Sequence, residues 1–446
     1  MDSYRDSYRL NRRRAFFAGG VLALLASSEG KSLPFNTKVG KANDIMPAAV
    51  NNPVRRMVDA STFPSIQAAV NSTNGAPACI YIPAGWYTIT SPIVFPAGGF
   101  ELQGDGPEAS IIQCLDPAQD GVVVGDGQST WHGFELHGIG FYNGPGQVKT
   151  GGAFVRLNNV QTVNISRFAM SGPYYGLRLT DCTLVDVAQF DIRSPVRAAG
   201  VGIQIDGVAD SNDIHITSGI VRGDPTNPCR AAIQITNGVA VWLNDIDGYE
   251  CGIGLILAAT GAPTPAMGDR ANIEMIWSRG CSWDTSASHG MLIYAAAGGS
   301  VRRIRSTDDW FCSNGGSGVA VAGDGTIIGL RFHNAESCVN LMNGFDFQTG
   351  SGIRLRSPVV AQNSLAQPGI YHGVKFWPNI SNFAVTSGVI GPDDAFPGRT
   401  QGWGVYIAPG TSDRFFVTGN ELSGNLIGPV WNGGSGQNFF IGQNLV

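Results

Sequence analysis

The sequence predicts an all-β fold: a single chain wound as a parallel β-helix, with a capping helix at its N-terminal end. Three observations carry that prediction. First, one phrase recurs, a small residue followed by apolar, any residue, apolar. It reads Gly202-Ile203-Gln204-Ile205, Ala232-Ile233-Gln234-Ile235, Gly254-Leu255-Ile256-Leu257, Gly290-Met291-Leu292-Ile293, Gly318-Val319-Ala320-Val321, Gly344-Phe345-Asp346-Phe347, Gly373-Val374-Lys375-Phe376 and Gly404-Val405-Tyr406-Ile407. Successive starts lie 30, 22, 36, 28, 26, 29 and 31 residues apart, which is the spacing of solenoid repeats. Second, the apolar–x–apolar triplet has the period of a strand with one buried face. Third, each unit carries a second apolar stretch, such as Val301-Arg302-Arg303-Ile304, Ile327-Ile328-Gly329-Leu330 or Phe415-Phe416-Val417, before a turn rich in Gly, Asn and Asp.

Repetition in one register stacks each strand about 4.8 Å above its equivalent. Hairpins would need two-residue Asn-Gly or Asp-Gly turns, and few loops here have that length. Charged residues make up 14% of the 446-residue chain, against roughly 25% in average proteins. Together with 61 glycines this fits narrow strands and tight turns. A net charge of −5 implies neither nucleic acid nor an anionic membrane as a partner.

The chain divides into an export signal at residues 1–29, a linker at 30–55 and the β-helix at 56–446. Arg5, Arg9, Arg12, Arg13 and Arg14 precede the apolar run Ala15 to Ala26, which is shorter than the about 20 residues a spanning helix needs. This is the form of a cleavable signal. Arg13-Arg14-Ala15-Phe16-Phe17 resembles the twin-arginine motif, and an ordinary secretory signal is the alternative. Either route makes the protein secreted or periplasmic. Five of the eight cysteines, Cys229, Cys251, Cys281, Cys312 and Cys338, follow the repeat period. They are expected in one column, as buried free thiols or as a disulfide between neighbours.

Residues 59–70 read as a helix capped by Ser61 or Thr62, with Pro64 early, where its missing N–H costs little. Such a helix covers the open end of a coil. Next come Ile80-Tyr81-Ile82-Pro83-Ala84-Gly85-Trp86-Tyr87-Thr88-Ile89 and Phe100-Glu101-Leu102-Gln103-Gly104-Asp105-Gly106. This order resembles the N-terminal portion of the pectate-lyase superfamily of right-handed parallel β-helix proteins, which includes polygalacturonase-related hydrolases and phage tailspike depolymerases. The likeness is close over about residues 55 to 115 and continues as rung pattern, although the usual Asp-x-Gly-Ala opening is missing before Asp59. The stretch from Val417-Thr418-Gly419-Asn420 to Asn425 is similar to the last rungs of bacterial and phage-encoded members. The resemblance implies the fold and an acidic or neutral polysaccharide as partner; it does not fix a reaction.

Hydrolysis of a glycosidic bond generally needs two carboxyl groups, about 5 Å apart for retention and roughly 6.5–9.5 Å for inversion. Adjacent rungs of a β-helix supply such spacings. Acids recur after the second strand of each unit: Asp245 and Asp247, Asp284, Asp308 and Asp309, then Glu336. Asp308, Asp309, Asp284 and Asp245 are the catalytic candidates, because like charges at rung spacing push one pKa up. Asp308-Asp309 matches the Asp-Asp pair of polygalacturonases, but their Asn-Thr-Asp, Gly-His-Gly and Arg-Ile-Lys motifs are missing; Ser288-His289-Gly290 is a partial echo. The competing reading puts Asp309 at the place of Asn420, bonding along a turn ladder.

Arg305, Arg331 and Arg356 each follow an inward apolar residue (Ile304, Leu330, Leu355) and should form an outward column. Stacked guanidiniums suit an anion such as a uronate; pairing with Glu336 or Asp346 is the alternative. Arg305, Arg331, Arg356, Trp310 and His289 are the substrate-binding candidates, with Trp310 read as outward and Trp283 as inward. No metal-ligating set stands out and no cofactor is expected, except calcium on aspartates if the reaction is a lyase reaction. The reading is a polysaccharide-active protein, a hydrolase ahead of a lyase, monomer or homotrimer. Its rival is a glycan-binding spike or structural coil without turnover.

Overall fold

The computed structural model describes residues 55–446 apart from Asp210, Gly268 and Asp269. The expected export signal, and the linker up to residue 54, lie outside the described residues.

The expected coil is present. Paired strands run parallel along a first sheet of 20 strands, a second of 13 and a third of 3. One turn shows how the sequence builds a rung. Val160–Ser171 runs along the first sheet, Tyr175–Thr180 crosses to the second, and Thr183–Arg193 returns to lie on Val160–Ser171. The recurring phrases are the strands of the second sheet, in register from Ile203 through Ile233 and Leu255 to Met291, Val319, Phe345, Val374 and Val405.

The long strands of the first sheet carry a left-handed residue at each of two bends, and the second bend is a corner of the coil. Ser218, Asp245, Gly280, Asp308, Asn334, Ser357 and Ser387 occupy successive rungs of this corner, with φ between 51° and 64°. Asn, Asp and Gly tolerate that region better than other residues, and they hold four of these seven positions, with Ser at the other three. Inside, like sits on like. Phe383, Phe415 and Phe439 stack with centroids 4.6 and 5.0 Å apart and planes within 5°.

A buried amide ladder runs up another corner. Asn340 sends its backbone N–H and Nδ2 to Asn363 Oδ1 at 3.2 and 2.8 Å, while its own Oδ1 accepts both donors of Asn314 at 3.0 Å. Asn363 repeats the bond to Gln401 Oε1 at 2.8 Å, and Gln401 to Asn425 Oδ1 at 2.9 Å. These side chains satisfy turn groups that no strand reaches, which is why amides are tolerated in the core.

The N-terminal end differs from expectation in detail. Asp59 caps a short 3₁₀ turn, Ala60–Thr62, and Ser65 caps the helix Ile66–Asn71 by accepting from Ala68 N at 3.1 Å. Pro64 precedes the cap, so Ser61 and Thr62 belong to the turn. The helix buries Ile66, Ala69 and Val70, and its Gln67 amide bonds both backbone groups of Val94 at 2.7 and 3.1 Å. That closes part of the edge of the first short strand of the second sheet.

All eight cysteines are buried free thiols, but they do not form one column. Cys281 lies in the inward row with Ile246 and Asp309, whereas Cys312 and Cys338 share the row of Asp284 and Ala361. Turns of unequal length between strands break the simple period.

Replacing Asn340 by Leu strands donors and acceptors on both sides, at about 1–3 kcal/mol for each group left unpaired. Urea unfolding should show a clear loss of stability for Asn340→Leu, while Asn334→Ser on the outer corner stays within about 0.5 kcal/mol of the parent.

Candidate functional site

Outward residues of the first sheet form rows, one residue per rung. The central row runs Glu101, Glu135, Asn164, Asp186, His215, Trp242, Trp277, Arg305, Arg331 and Arg354. Its middle is aromatic. His215 packs on Trp242 at 4.4 Å, and Trp242 stacks on Trp277 at 4.7 Å with planes 13° apart. Arg305 and Arg331 follow, both exposed, and neither has an ion-pair partner among the described residues. Two guanidiniums a rung apart repel by about 1 kcal/mol in water-like surroundings. The surface is thus prepared for an anion beside flat apolar rings.

Arg356 does not continue this row. Arg331 pairs with Arg354, and Arg356 pairs with His333 in the next outward row, which also holds Arg279 and Thr307. Arg354 is occupied: its guanidinium donates to Asn382 O at 2.7 Å and Asn382 Oδ1 at 2.8 Å. Arg303, itself left-handed and two residues from Arg305, pairs with Glu274 at 3.1 Å. Arg305, Arg331 and Arg356 therefore share one face in two rows.

The four candidate carboxylates separate into two groups. Asp245 and Asp308 are exposed members of the corner row, two rungs apart, with only Gly280 between them. A Cβ on Gly280 would lie 3.0 Å from Asp245 Oδ1, so the Asp245 carboxylate leans across the glycine. Asp308 Oδ1 accepts from Asn334 Nδ2 at 3.1 Å. Two rungs are about 9.6 Å, and the lean shortens the gap between the carboxyls.

Asp309 and Asp284 sit elsewhere. Asp309 is 1% exposed and points into the coil. Its Oδ1 accepts from Cys281 N at 2.8 Å and its Oδ2 from Ser306 Oγ at 2.7 Å. It shares its inward row with Asn420, whose Oδ1 accepts from Gly388 N at 2.9 Å in the same way. Burial pushes its carboxyl up to about 7, opposed by the Ser306 hydrogen bond. Asp284 is also buried, in the row of Tyr249 and Cys312. The corner turn explains the position of Asp309, which is one residue past the left-handed Asp308 and so points inside.

Trp283 is fully buried and Trp310 points outward, as expected. However, Trp310 stands between Ser282 and Glu336 beyond the corner, against Phe396 at 6.1 Å, not on the arginine face. His289 lies on the rim of the second sheet, where its Nδ1 accepts from Ser317 N at 3.1 Å and burial pushes its imidazole down. A cleft of about 440 Å³ opens beside Asp245, lined by Phe168, Phe190, Gly219, Asp191 and Asp247.

One cluster escaped the sequence reading. On the outer face of the second sheet, Asp346 is 6% exposed and accepts from Trp377 Nε1 at 2.8 Å. Lys375, its row neighbour, holds its ammonium 4.3 Å from the Trp377 ring. His372 stacks on Tyr406 at 4.4 Å, and burial pushes its imidazole down to about 4. Asp346, Lys375 and Tyr406 are the unspecified third letters of three recurring phrases; the sequence offers Asp346 only as a partner for the arginines, and it lies on the other sheet from them.

Residues 59–183 match the family model described as rhamnogalacturonase A/epimerase, pectate lyase-like. Among solved structures, the fold is similar to the A-module of the Azotobacter vinelandii mannuronan C-5 epimerase AlgE6. That match has a TM-score of 0.57 at 15% identity, covering 87% of this chain and 98% of that one. The Agl-KA catalytic domain matches with a TM-score of 0.50 at 13% identity, over 89% of this chain and 70% of that one. A tailspike protein 2 from Escherichia coli O157:H7 bacteriophage CAB120 matches with a TM-score of 0.45 at 12% identity, over 69% of this chain and 42% of that one. No curated protein sequence matches. At these identities the first two structures establish the fold, a right-handed parallel β-helix.

The buried carboxyl gives a signed pH test. Between the unfolded value of about 3.9 and about 7, folded Asp309 holds a proton that the unfolded chain lacks. Stability therefore falls as pH rises through that window and levels off above it. Asp309→Asn should flatten this slope in melting curves taken from pH 4 to pH 8, and bring the largest gain at pH 8.

Proposed function

We propose, starting from a pectate-lyase-like parallel β-helix, that this chain is an exported glycoside hydrolase acting on an acidic polysaccharide along its first sheet. The observation that carries the reading is the pair of unpartnered guanidiniums, Arg305 and Arg331, in line with the stacked indoles of Trp242 and Trp277. Carboxylated sugars offer both partners, an anionic group for the arginines and flat C–H faces for the rings. Asp245 and Asp308 flank the neighbouring corner at a spacing that favours inversion. Asp308, oriented by Asn334, takes the proton of the attacking water. Asp245 gives a proton to the leaving oxygen as the glycosidic bond breaks. Export rests on the arginine-led N-terminal sequence.

A second reading places the substrate on the second sheet, favoured by the sheltered Asp346 carboxylate with Lys375 and Trp377 beside it. The two are separable by substitution. With acidic polysaccharides as substrates and reducing ends measured, Asp245→Asn and Asp308→Asn should each lower the rate at least about 100-fold. Arg305→Ala with Arg331→Ala should weaken substrate binding and reduce its salt sensitivity. Loss of turnover in Asp346→Asn, with Asp308→Asn active, would move the site to the second sheet. Glycan binding without any product would favour the spike reading.

A further inference from the structure

The acidic end of the central row gathers two carboxylates and an imidazole. Cys79, Glu101 and Glu135 are consecutive members of that row, and Gln103 and His137 are neighbours in the next. The ligand atoms of Glu101, Glu135 and His137 all lie within 4.8 Å of one another. His137 Nε2 is 3.1 Å from Glu101 Oε1 and 4.0 Å from Glu135 Oε2. Two carboxylates one rung apart repel unless a cation lies between them. Here the Arg55 guanidinium takes that place, 2.7 Å from Glu135 Oε1 and 3.5 Å from Glu101 Oε2. It comes from the segment just ahead of the first strand, Arg56–Asp59, and not from a rung.

A second observation points to a metal and not to a plain ion pair. Cys79 is 4% exposed, its thiol lies against Glu101, and it makes a long hydrogen bond, 3.5 Å to Gln103 Oε1. The cluster itself is a mixed N, O donor set of two carboxylates and an imidazole, with this thiol at its edge beside Glu101. Such a set suits zinc or cobalt over calcium or magnesium, which take oxygen alone.

We propose that Glu101, Glu135 and His137 form a site for a zinc-type divalent cation, with Cys79 as a soft fourth donor and Arg55 as the exchangeable cation that fills it otherwise. Binding displaces the guanidinium and frees the segment that carries Arg55. The site stands more than four rungs from Arg305 along the same row, and it is independent of the hydrolase reading.

The test uses chelator-treated full-length protein titrated with Zn²⁺ and Ca²⁺ in a calorimeter, and with Co²⁺ by visible absorption. One Zn²⁺ per chain is expected, preferred over Ca²⁺, with a cobalt–thiolate band that Cys79→Ser removes. Glu135→Gln and His137→Ala should each weaken Zn²⁺ binding at least about tenfold. Arg55→Ala should tighten it, a gain that no misfolded variant can mimic. Absence of Zn²⁺ binding to the parent chain, or Zn²⁺ binding unchanged in both Glu135→Gln and His137→Ala, overturns the site. Weaker binding in Arg55→Ala overturns the exchange.

Discussion

In-register parallel stacking is the constraint on which the rest of the molecule depends. Each rung bonds its backbone to the rung above and below, so a side chain has two fixed neighbours, its equivalents about 4.8 Å away. Inside, this turns single residues into stacks, as with Phe383, Phe415 and Phe439. At the turns, where strand bonding stops, it lets amides such as Asn340 and Asn363 bond to one another in sequence. At the bend of the first sheet it stacks left-handed positions, held by small or short polar residues such as Asp245, Gly280, Asp308 and Ser357.

The same constraint writes the outer chemistry. Substitutions accepted one rung at a time produce rows whose character changes along the axis. Carboxylates give way to rings and then to guanidiniums on the first sheet. On the second sheet Gln204 and Gln234 give way to Ile256 and Leu292, then to Asp346 and Lys375. Both rows run the length of many rungs, and a cleft of about 440 Å³ opens at the corner of the first sheet, beside Asp245. An extended face suits a linear polymer better than a compact metabolite.

The coil itself was legible because its period is written in apolar residues that must all point inward. Ile304 and Leu330 were correctly placed as stacked, and Arg305 and Arg331 followed from them. Arg356 was misplaced because Ile353 and Leu355 are both inward. A strand of period two fits its neighbour equally well after a slip of two residues, and nothing in the side chains breaks that tie. Asp308 and Asp309 could not be separated by pattern, since the bend reverses direction over a single residue. The cysteine column failed because it was counted across turns of unequal length. Asp346 and Lys375 were visible as variable letters of the recurring phrase, but their cluster was not read from it. Glu101, Glu135 and His137 are joined by register across two rungs, and nothing in their 34- and 36-residue separations marks them as neighbours.

The change of sign along the central row makes the first sheet electrically lopsided. A negatively charged strand drawn to Arg305 and Arg331 is pushed back as it slides toward Asp186 and Glu135. The crossover falls at the paired indoles, Trp242 and Trp277. On the proposed reading, this change of sign limits how far a polyanion advances along the sheet without any need to enclose it.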